Sequence, residues 1–280
     1  MAKPLINLLR IQMFKQRLLT TLVLIPLVVL FICYANSTAV MVISFVIALL
    51  CGMEWMALIP MKNRAYQTVG LILLLLVCYF IHPLAGGYFV AWLLAWLGIA
   101  IAVIAYPRLE KIWGQPFVVG VFAILLLSFF ADSLRLVFAL ESGRSLLVYL
   151  LCLVWASDIG AYLAGKKAGR HRLIPAVSPG KTWEGLLGGL LLSQLVAVLG
   201  YFIFHIQQIT IWFLMALVVF LIALLGDLLI SMLKRRVQIK DTGNILPGHG
   251  GILDRLDSLI AATPLFYYGL TLFAHIANGQ

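Results

Sequence analysis

Composition, the lengths of its apolar runs and the placement of its basic residues all predict that this chain is an all-α, polytopic integral membrane protein with about nine transmembrane helices. Apolar residues fill 64% of 280 positions and charged residues only 11%. Soluble domains carry roughly 45–50% apolar and about 25% charged residues. A soluble core cannot absorb the difference, because its surface must still face water. Runs near 18–35, 38–59, 68–82, 88–106, 116–138, 145–165, 185–206, 210–233 and 252–274 are apolar, and most reach the ~20 residues that a helix needs to cross a bilayer.

The elements follow in order. Basic residues Lys3, Arg10, Lys15 and Arg17 precede the first run, as before a signal peptide. The run is long and further spans follow at once, so it reads as an uncleaved anchor. Residues 5–14 mix apolar and polar groups and suit either a helix lying on the membrane surface or a disordered leader. Asn36-Ser37, Pro60, His82-Pro83, Pro107, Glu141-Ser142-Gly143 and His205 to Gln208 punctuate the gaps between runs. The third run is the shortest. Cys33, Cys51, Cys78 and Cys152 all lie in apolar runs with no CxxC pair, so neither a zinc site nor a disulfide framework is expected.

Charge orients the spans. With nine spans and a cytoplasmic N-terminus, 18 of the 20 Lys and Arg fall in cytoplasmic segments, and only Arg135 and Arg144 fall outside. This is the positive-inside pattern, and it puts the C-terminus outside. The net charge of +10 is therefore topological. No nucleic-acid-binding motif is present. Residues 1–144 read as scaffold helices. Residues 145–280 read as the catalytic region, with two cytoplasmic loops at 166–184 and 234–251.

Acids within spans are costly, about 2.5–3.5 kcal/mol at a helix centre, and are functional by default. Asp158 and Asp227 are such acids. On a helix Ser231 and Lys234 share the face of Asp227, at i+4 and i+7. Asp254 and Asp257, at i and i+3, share another. His249-Gly250-Gly251 just before them can bring backbone close to a ligand, since glycine has no Cβ to obstruct it. Asp227, Asp254 and Asp257 near one membrane face suit Mg²⁺, a hard ion that takes carboxylate, water and phosphate oxygens. Lys234, Arg235, Lys240 and Arg255 suit phosphate oxygens. His249, between glycines, reads as functional.

The other loop holds Ser178-Pro179-Gly180-Lys181-Thr182-Trp183-Glu184-Gly185. Gly-Lys-Thr suggests a P-loop, but that motif needs a glycine at 175, where this chain has Pro175. Lys181 near a helix N-terminus suits an anion instead, with Glu184 completing a cap. Lys166, Lys167, Arg170, His171 and Arg172 form a basic patch suited to anionic headgroups. Gly185, Gly188 and Gly189 suit close helix packing.

Ser231 to Asp257 spans 27 residues. It reads Ser-x-apolar-Lys-Arg, four residues, Lys-Asp-x-small, two residues, then apolar-Pro-x-His-Gly-Gly-apolar-x-Asp-Arg-apolar-Asp. Throughout, it resembles the motif of phosphatidate cytidylyltransferases, also called CDP-diacylglycerol synthases. Trp155-Ala156-Ser157-Asp158, Ala161-Tyr162 and the stretch 178–185 resemble that family too, so the likeness covers the C-terminal half.

The resemblance implies an enzyme that joins CTP and phosphatidic acid into CDP-diacylglycerol and pyrophosphate. It implies a Mg²⁺ requirement, with a second ion such as K⁺ sharing the site, and a homodimer. On this reading Asp227, Asp254 and Asp257 hold the metal. Lys234, Arg235 and Arg255 hold phosphates, with Lys240 beside them. Ser231 and His249 orient phosphate oxygens, and Asp158 and Lys181 complete the cavity. The setting is a bacterial cell (inner) membrane, with membrane lipids around the protein and the site facing the cytoplasm. Two other readings are a CDP-alcohol phosphotransferase-like lipid enzyme and an ion-coupled transporter. The first expects Asp-x-x-Asp-Gly, but Ser258 follows Asp257. The second favours inverted repeats, and the sequence contains none that we can find.

Overall fold

The structure is a computed structural model that describes residues 22–59, 64–80, 87–245 and 250–277. The expected surface helix at 5–14, the start of the first apolar run and His249 lie outside the described residues. Among the described residues a helix falls on every apolar run. These are α1 (Leu22–Tyr34), α2 (Ser37–Met56), α3 (Arg64–Phe80) and α4 (Gly87–Ala105). After the short α5 (Glu110–Trp113) come α6 (Pro116–Ala139) and α7 (Gly143–Ala168). A hairpin of β1 (Arg172–Ile174) and β2 (Ser178–Thr182) leads into α8 (Trp183–Ile203), α9 (Ile209–Arg236) and α10 (Leu253–Ala277). Five of them (α2, α6, α7, α8 and α9) are long and apolar enough to cross a membrane, and α1, α3 and α4 contain shorter apolar helices.

Helix ends obey local chemistry. Asn36 caps α2, its Oδ1 accepting from the Ala39 amide at 2.8 Å. Pro116 opens α6, where its missing N–H costs nothing. Thr182 caps α8, its Oγ1 accepting from the Gly185 amide at 3.1 Å. Basic residues close α7 (Lys166, Lys167) and α9 (Lys234, Arg235, Arg236), where the helix dipole favours positive charge. Arg236 also lies over the Trp113 ring at 6.0 Å, which ties the end of α9 to α5.

The expected loop at 166–184 is in part regular structure. Helix α7 continues to Ala168, and β1 and β2 pair antiparallel, with Arg172 opposite Thr182 and Ile174 opposite Ser178. Among the described residues this two-stranded hairpin is the one sheet in an otherwise helical protein. Buried Val177 pins its turn to the helices, and the Arg235 Nε donates to the Val177 carbonyl at 3.2 Å.

Lipid tails are as apolar as leucine, so membrane helices associate through close packing and interhelical hydrogen bonds. Both are present. Trp55 Nε1 donates to the Val119 carbonyl at 3.2 Å and joins α2 to α6. Trp212 Nε1 donates to the Ala197 carbonyl at 2.9 Å and joins α9 to α8. The opposite face of α8 carries Leu187, Leu191, Leu195 and Leu199 at i, i+4 spacing, each more than half exposed. A water-facing helix would put polar side chains there.

Glycines set the tightest seam, between α7 and α8. A Cβ on Gly160 would strike the Gly188 carbonyl, one on Gly188 the Ala164 side chain, and one on Gly189 the Ser157 carbonyl at 2.7 Å. The close-packing expectation for Gly188 and Gly189 holds. Gly188→Val should force these helices apart at about 1–3 kcal/mol and pull Lys181 away from α9. The measurement is the thermal aggregation midpoint in detergent, which should fall by several degrees. An unchanged midpoint would show that the seam can give.

Candidate active site

Helices α7 and α9 end, and α8 and α10 begin, at the same end of the bundle. The Lys181–Asp227 pair ties β2, just before α8, to α9, and the Lys234–Asp254 pair ties the end of α9 to the start of α10. The site is built from two polar clusters along the α9–α10 seam.

The first lines a cavity of about 200 Å³. On its polar side are Asp158 of α7, Lys181 of β2, Asp227 of α9 and Ser258 of α10, while Leu186, Phe220 and Leu224 make an apolar side. Lys181 Nζ lies 2.5 Å from Asp227 Oδ2. Ser231 Oγ donates to Asp227 Oδ1 at 3.3 Å, as the i, i+4 spacing predicts. Asp257 is buried one residue from the cavity wall, and the Ser258 amide donates to its Oδ1 at 2.7 Å. The charges of Asp227, Asp158 and Lys181 all act on Asp257, and those of Asp227, Lys181 and Arg255 act on Asp158. Gly226 allows this convergence. A Cβ there would meet the Asp257 carbonyl and the Ala261 side chain, so glycine lets α9 bring Asp227 against α10.

The second cluster lies one turn further along the seam. Lys234 does not reach up its own stripe to Asp227. Its Nζ lies 2.6 Å from Asp254 Oδ1. Asp254 Oδ2 accepts from the Thr242 amide at 2.8 Å, the Thr242 hydroxyl at 3.0 Å and the Gly251 amide at 3.3 Å. Both oxygens of Asp254 are thus engaged within the protein, although the residue shares a face with Asp257. Among the described residues no group of three His, Cys, Asp or Glu side chains is arranged to hold a metal ion.

The other expected site residues are dispersed. Arg235 faces the hairpin through Val177. Lys240 is exposed on the loop after α9, and Arg255 is exposed on the first turn of α10. Glu184 is the second residue of α8, so it does not complete the Thr182 cap. It accepts from the Arg170 amide at 3.1 Å and lies 2.7 Å from His171 Nδ1, which holds the end of α7 against α8.

One residue that sequence reasoning passed over stands at the centre of the second cluster. Glu54 of α2 is buried, 5% exposed. Its Oε2 shares the single Thr242 hydroxyl proton with Asp254 Oδ2, 3.0 Å from each, and its oxygens accept from the Ile252 and Leu253 amides at 3.0 and 2.8 Å. The signal was available: an acid in an apolar run, the same criterion that picked out Asp158 and Asp227. The glycines of the motif also find their reason here. A Cβ on Gly243 or Gly251 would collide with the Glu54 carboxylate. The group to which Gly251 grants close approach is therefore a side chain of the protein, where the sequence suggested a ligand. Gly250 has φ +83°, a backbone conformation that favours glycine.

Residues 15–273 match the cytidylyltransferase family. The chain is 35% identical to the phosphatidate cytidylyltransferase of Pseudomonas aeruginosa over 91% of its own length and 96% of that protein's. It is 32% identical to the phosphatidate cytidylyltransferase of Bacillus subtilis, over 93% of this chain and 98% of the other. Against the phosphatidate cytidylyltransferase of Haemophilus influenzae identity reaches 41%, over 62% of this chain and 65% of that protein.

Proposed function

The chain belongs to the cytidylyltransferase family, and we propose that it transfers the cytidylyl group of CTP to phosphatidic acid, giving CDP-diacylglycerol and pyrophosphate. One observation carries the assignment. A lysine and two carboxylates face one cavity whose other wall is apolar. A site that must hold a triphosphate beside a diacyl lipid needs both kinds of wall.

In this reading a phosphatidate oxygen attacks the α-phosphorus of CTP in line. The bond from that phosphorus to the bridging oxygen breaks, and pyrophosphate leaves with the electron pair. Phosphatidate is ionised near neutral pH, so no strong general base is required. The protein's task is to bring two anions together and to stabilise charge on the transferring group. Lys181, which faces the cavity, would leave Asp227 for a phosphate oxygen. Arg255, whose charge acts on Asp158, would hold a second. Ser231 would orient a third from its place beside Asp227. Lys234 and Asp254 would hold the seam in register, Lys240 and Arg235, both exposed, would attract the nucleotide, and His249 would orient a phosphate oxygen.

The donor set fits Mg²⁺, which takes one or two carboxylates and fills its remaining positions with water and substrate phosphate. Asp227 and Asp257, whose carboxylates act on one another across the seam, would hold it. Asp254, engaged by Lys234, Thr242 and Gly251, would serve as a positioning acid instead. When bound, the ion would offset the charge of the triphosphate, and K⁺ is a suitable second ion. We further propose nine spans, a cytoplasmic N-terminus, an outer C-terminus, a homodimer and residence in the bacterial inner membrane. In that arrangement the cavity opens to cytoplasmic CTP and sideways to membrane lipid.

The test is purified protein with labelled CTP, phosphatidic acid and Mg²⁺. A lipid-extractable cytidine product, formed one for one with pyrophosphate, is expected. Pyrophosphate without a lipid product, or no reaction at all, would overturn the assignment.

A further inference from the structure

From the geometry around Glu54 we infer that this residue of the N-terminal helices is a positioning residue for the transfer reaction. It fastens both ends of the loop that carries the His-Gly-Gly motif. One carboxylate holds Thr242 before the loop and the Ile252 and Leu253 amides after it, all within 3.0 Å. Thr242 is shared: its hydroxyl and amide also hold Asp254 Oδ2, and Asp254 holds Lys234. A continuous chain of polar contacts therefore runs from α2 through the loop to α9. It reaches α10 at Leu253, one turn before Asp257.

Several features show that the seat is built for a carboxylate. The Ile252 and Leu253 amides can only donate to Glu54, and the Thr242 hydroxyl proton is shared between Glu54 and Asp254. A glutamine would have to turn its NH₂ toward at least one of those donors, and two are backbone amides that cannot reverse. Gly243 and Gly251 leave the space the carboxylate fills, since a Cβ at either would collide with it. The anion also sits at the N-terminus of α10, where the helix dipole favours it. Glu54 touches neither of the cavity acids Asp158 and Asp227. It acts through the register of α10 against α9.

The proposal rests on the transfer reaction above and is tested in two arms. In the first, Glu54→Gln, Glu54→Asp and Thr242→Val are purified and compared per mole of folded protein. Glu54→Gln is expected to lower kcat at least tenfold with KM for CTP within twofold of the parent. Glu54→Asp, which keeps the charge, should recover part of the loss. Thr242→Val combined with Glu54→Gln should cost less than the product of the two single effects, because both cut the same link. Glu54→Gln with kcat within twofold of the parent would overturn the proposal. So would activity lost only in proportion to unfolded protein, which is the mark of a merely structural residue.

The second arm needs no turnover. Hydrogen–deuterium exchange should show amides at 250–253 losing protection in Glu54→Gln while those of α6 keep it. Equal protection in both proteins would overturn the anchoring role. If the parent protein makes no lipid product, the reaction assignment falls, and the exchange arm still decides whether Glu54 fastens the loop.

Discussion

Asp227→Asn should reduce cytidylyl transfer by at least about 1,000-fold, some 4 kcal/mol of transition-state stabilisation, while the protein inserts and purifies normally. Asparagine has nearly the shape of aspartate, so the α9–α10 seam closed by Gly226 is undisturbed. The charge is what goes. Asp227 is the counter-ion of Lys181 at 2.5 Å and, in the proposed reaction, an oxygen donor to Mg²⁺. Without it Lys181 loses its salt-bridge partner and keeps only the longer-range charges of Asp158 and Asp257, and a metal–triphosphate complex loses a ligand.

The double variant Lys181→Met/Asp227→Asn separates these roles. Removing both charges relieves the unpaired lysine and should return the thermal midpoint toward the parent value. It should not restore turnover. Recovery of activity in the double variant would mean that the pair is only structural. Near-normal activity in Asp227→Asn alone would remove the residue from the site.

The helices were legible because a bilayer imposes a length. Each of nine apolar runs coincides with a helix among the described residues, from α1 at Leu22 to α10 at Ala277. The hairpin at 172–182 was not legible. Its strands are only a few residues long, and they are held by Val177 packing and by the Arg235 contact, neither of which leaves a period in the sequence. The motif glycines were legible as places of close approach but not in what approaches. The partner of Thr242 is 188 residues away on α2, beyond the reach of any spacing rule.

Helical spacing told which side chains share a face and not which ones pair. Asp227, Ser231 and Lys234 share one helical stripe, but Lys234 crosses to Asp254 on the next helix. Asp254 and Asp257 were read together because i, i+3 residues are neighbours. One turn of helix is enough to deliver them to different clusters, since Asp254 meets the loop while Asp257 is buried within reach of the charge of Asp227. The division into scaffold and catalytic halves has the same limit. Residues 1–144 supply Glu54, and its carboxylate is seated among the motif residues of the second half.

Breaking the Lys234–Asp254 pair gives the other large expected effect, and it acts first on stability. Both side chains are mostly buried, 16% and 8% exposed. Removing one partner of a buried pair costs about 3–5 kcal/mol, because the other charge is left without compensation. Asp254→Asn should be the more damaging single change. It leaves Lys234 unpaired, and it also weakens the acceptor of two backbone amides and the Thr242 hydroxyl. Loop, α9 and α10 then lose their common anchor. Lys234→Met strips one contact from Asp254 but leaves those from Thr242 and Gly251. Its thermal midpoint should fall less, and its transfer rate should fall through loss of register more than through loss of a phosphate contact.

The discriminating measurement is the salt and substrate dependence of Lys234→Met. If Lys234 holds the seam, KM for CTP stays near the parent value while kcat drops. If it holds triphosphate directly, KM rises tenfold or more and high ionic strength no longer raises it further. The contacts in hand favour the first result. Lys234 is already committed at 2.6 Å to an acid whose other oxygen accepts three further hydrogen bonds. Lys181, by contrast, lines the cavity itself, with Asp227 as its salt-bridge partner there.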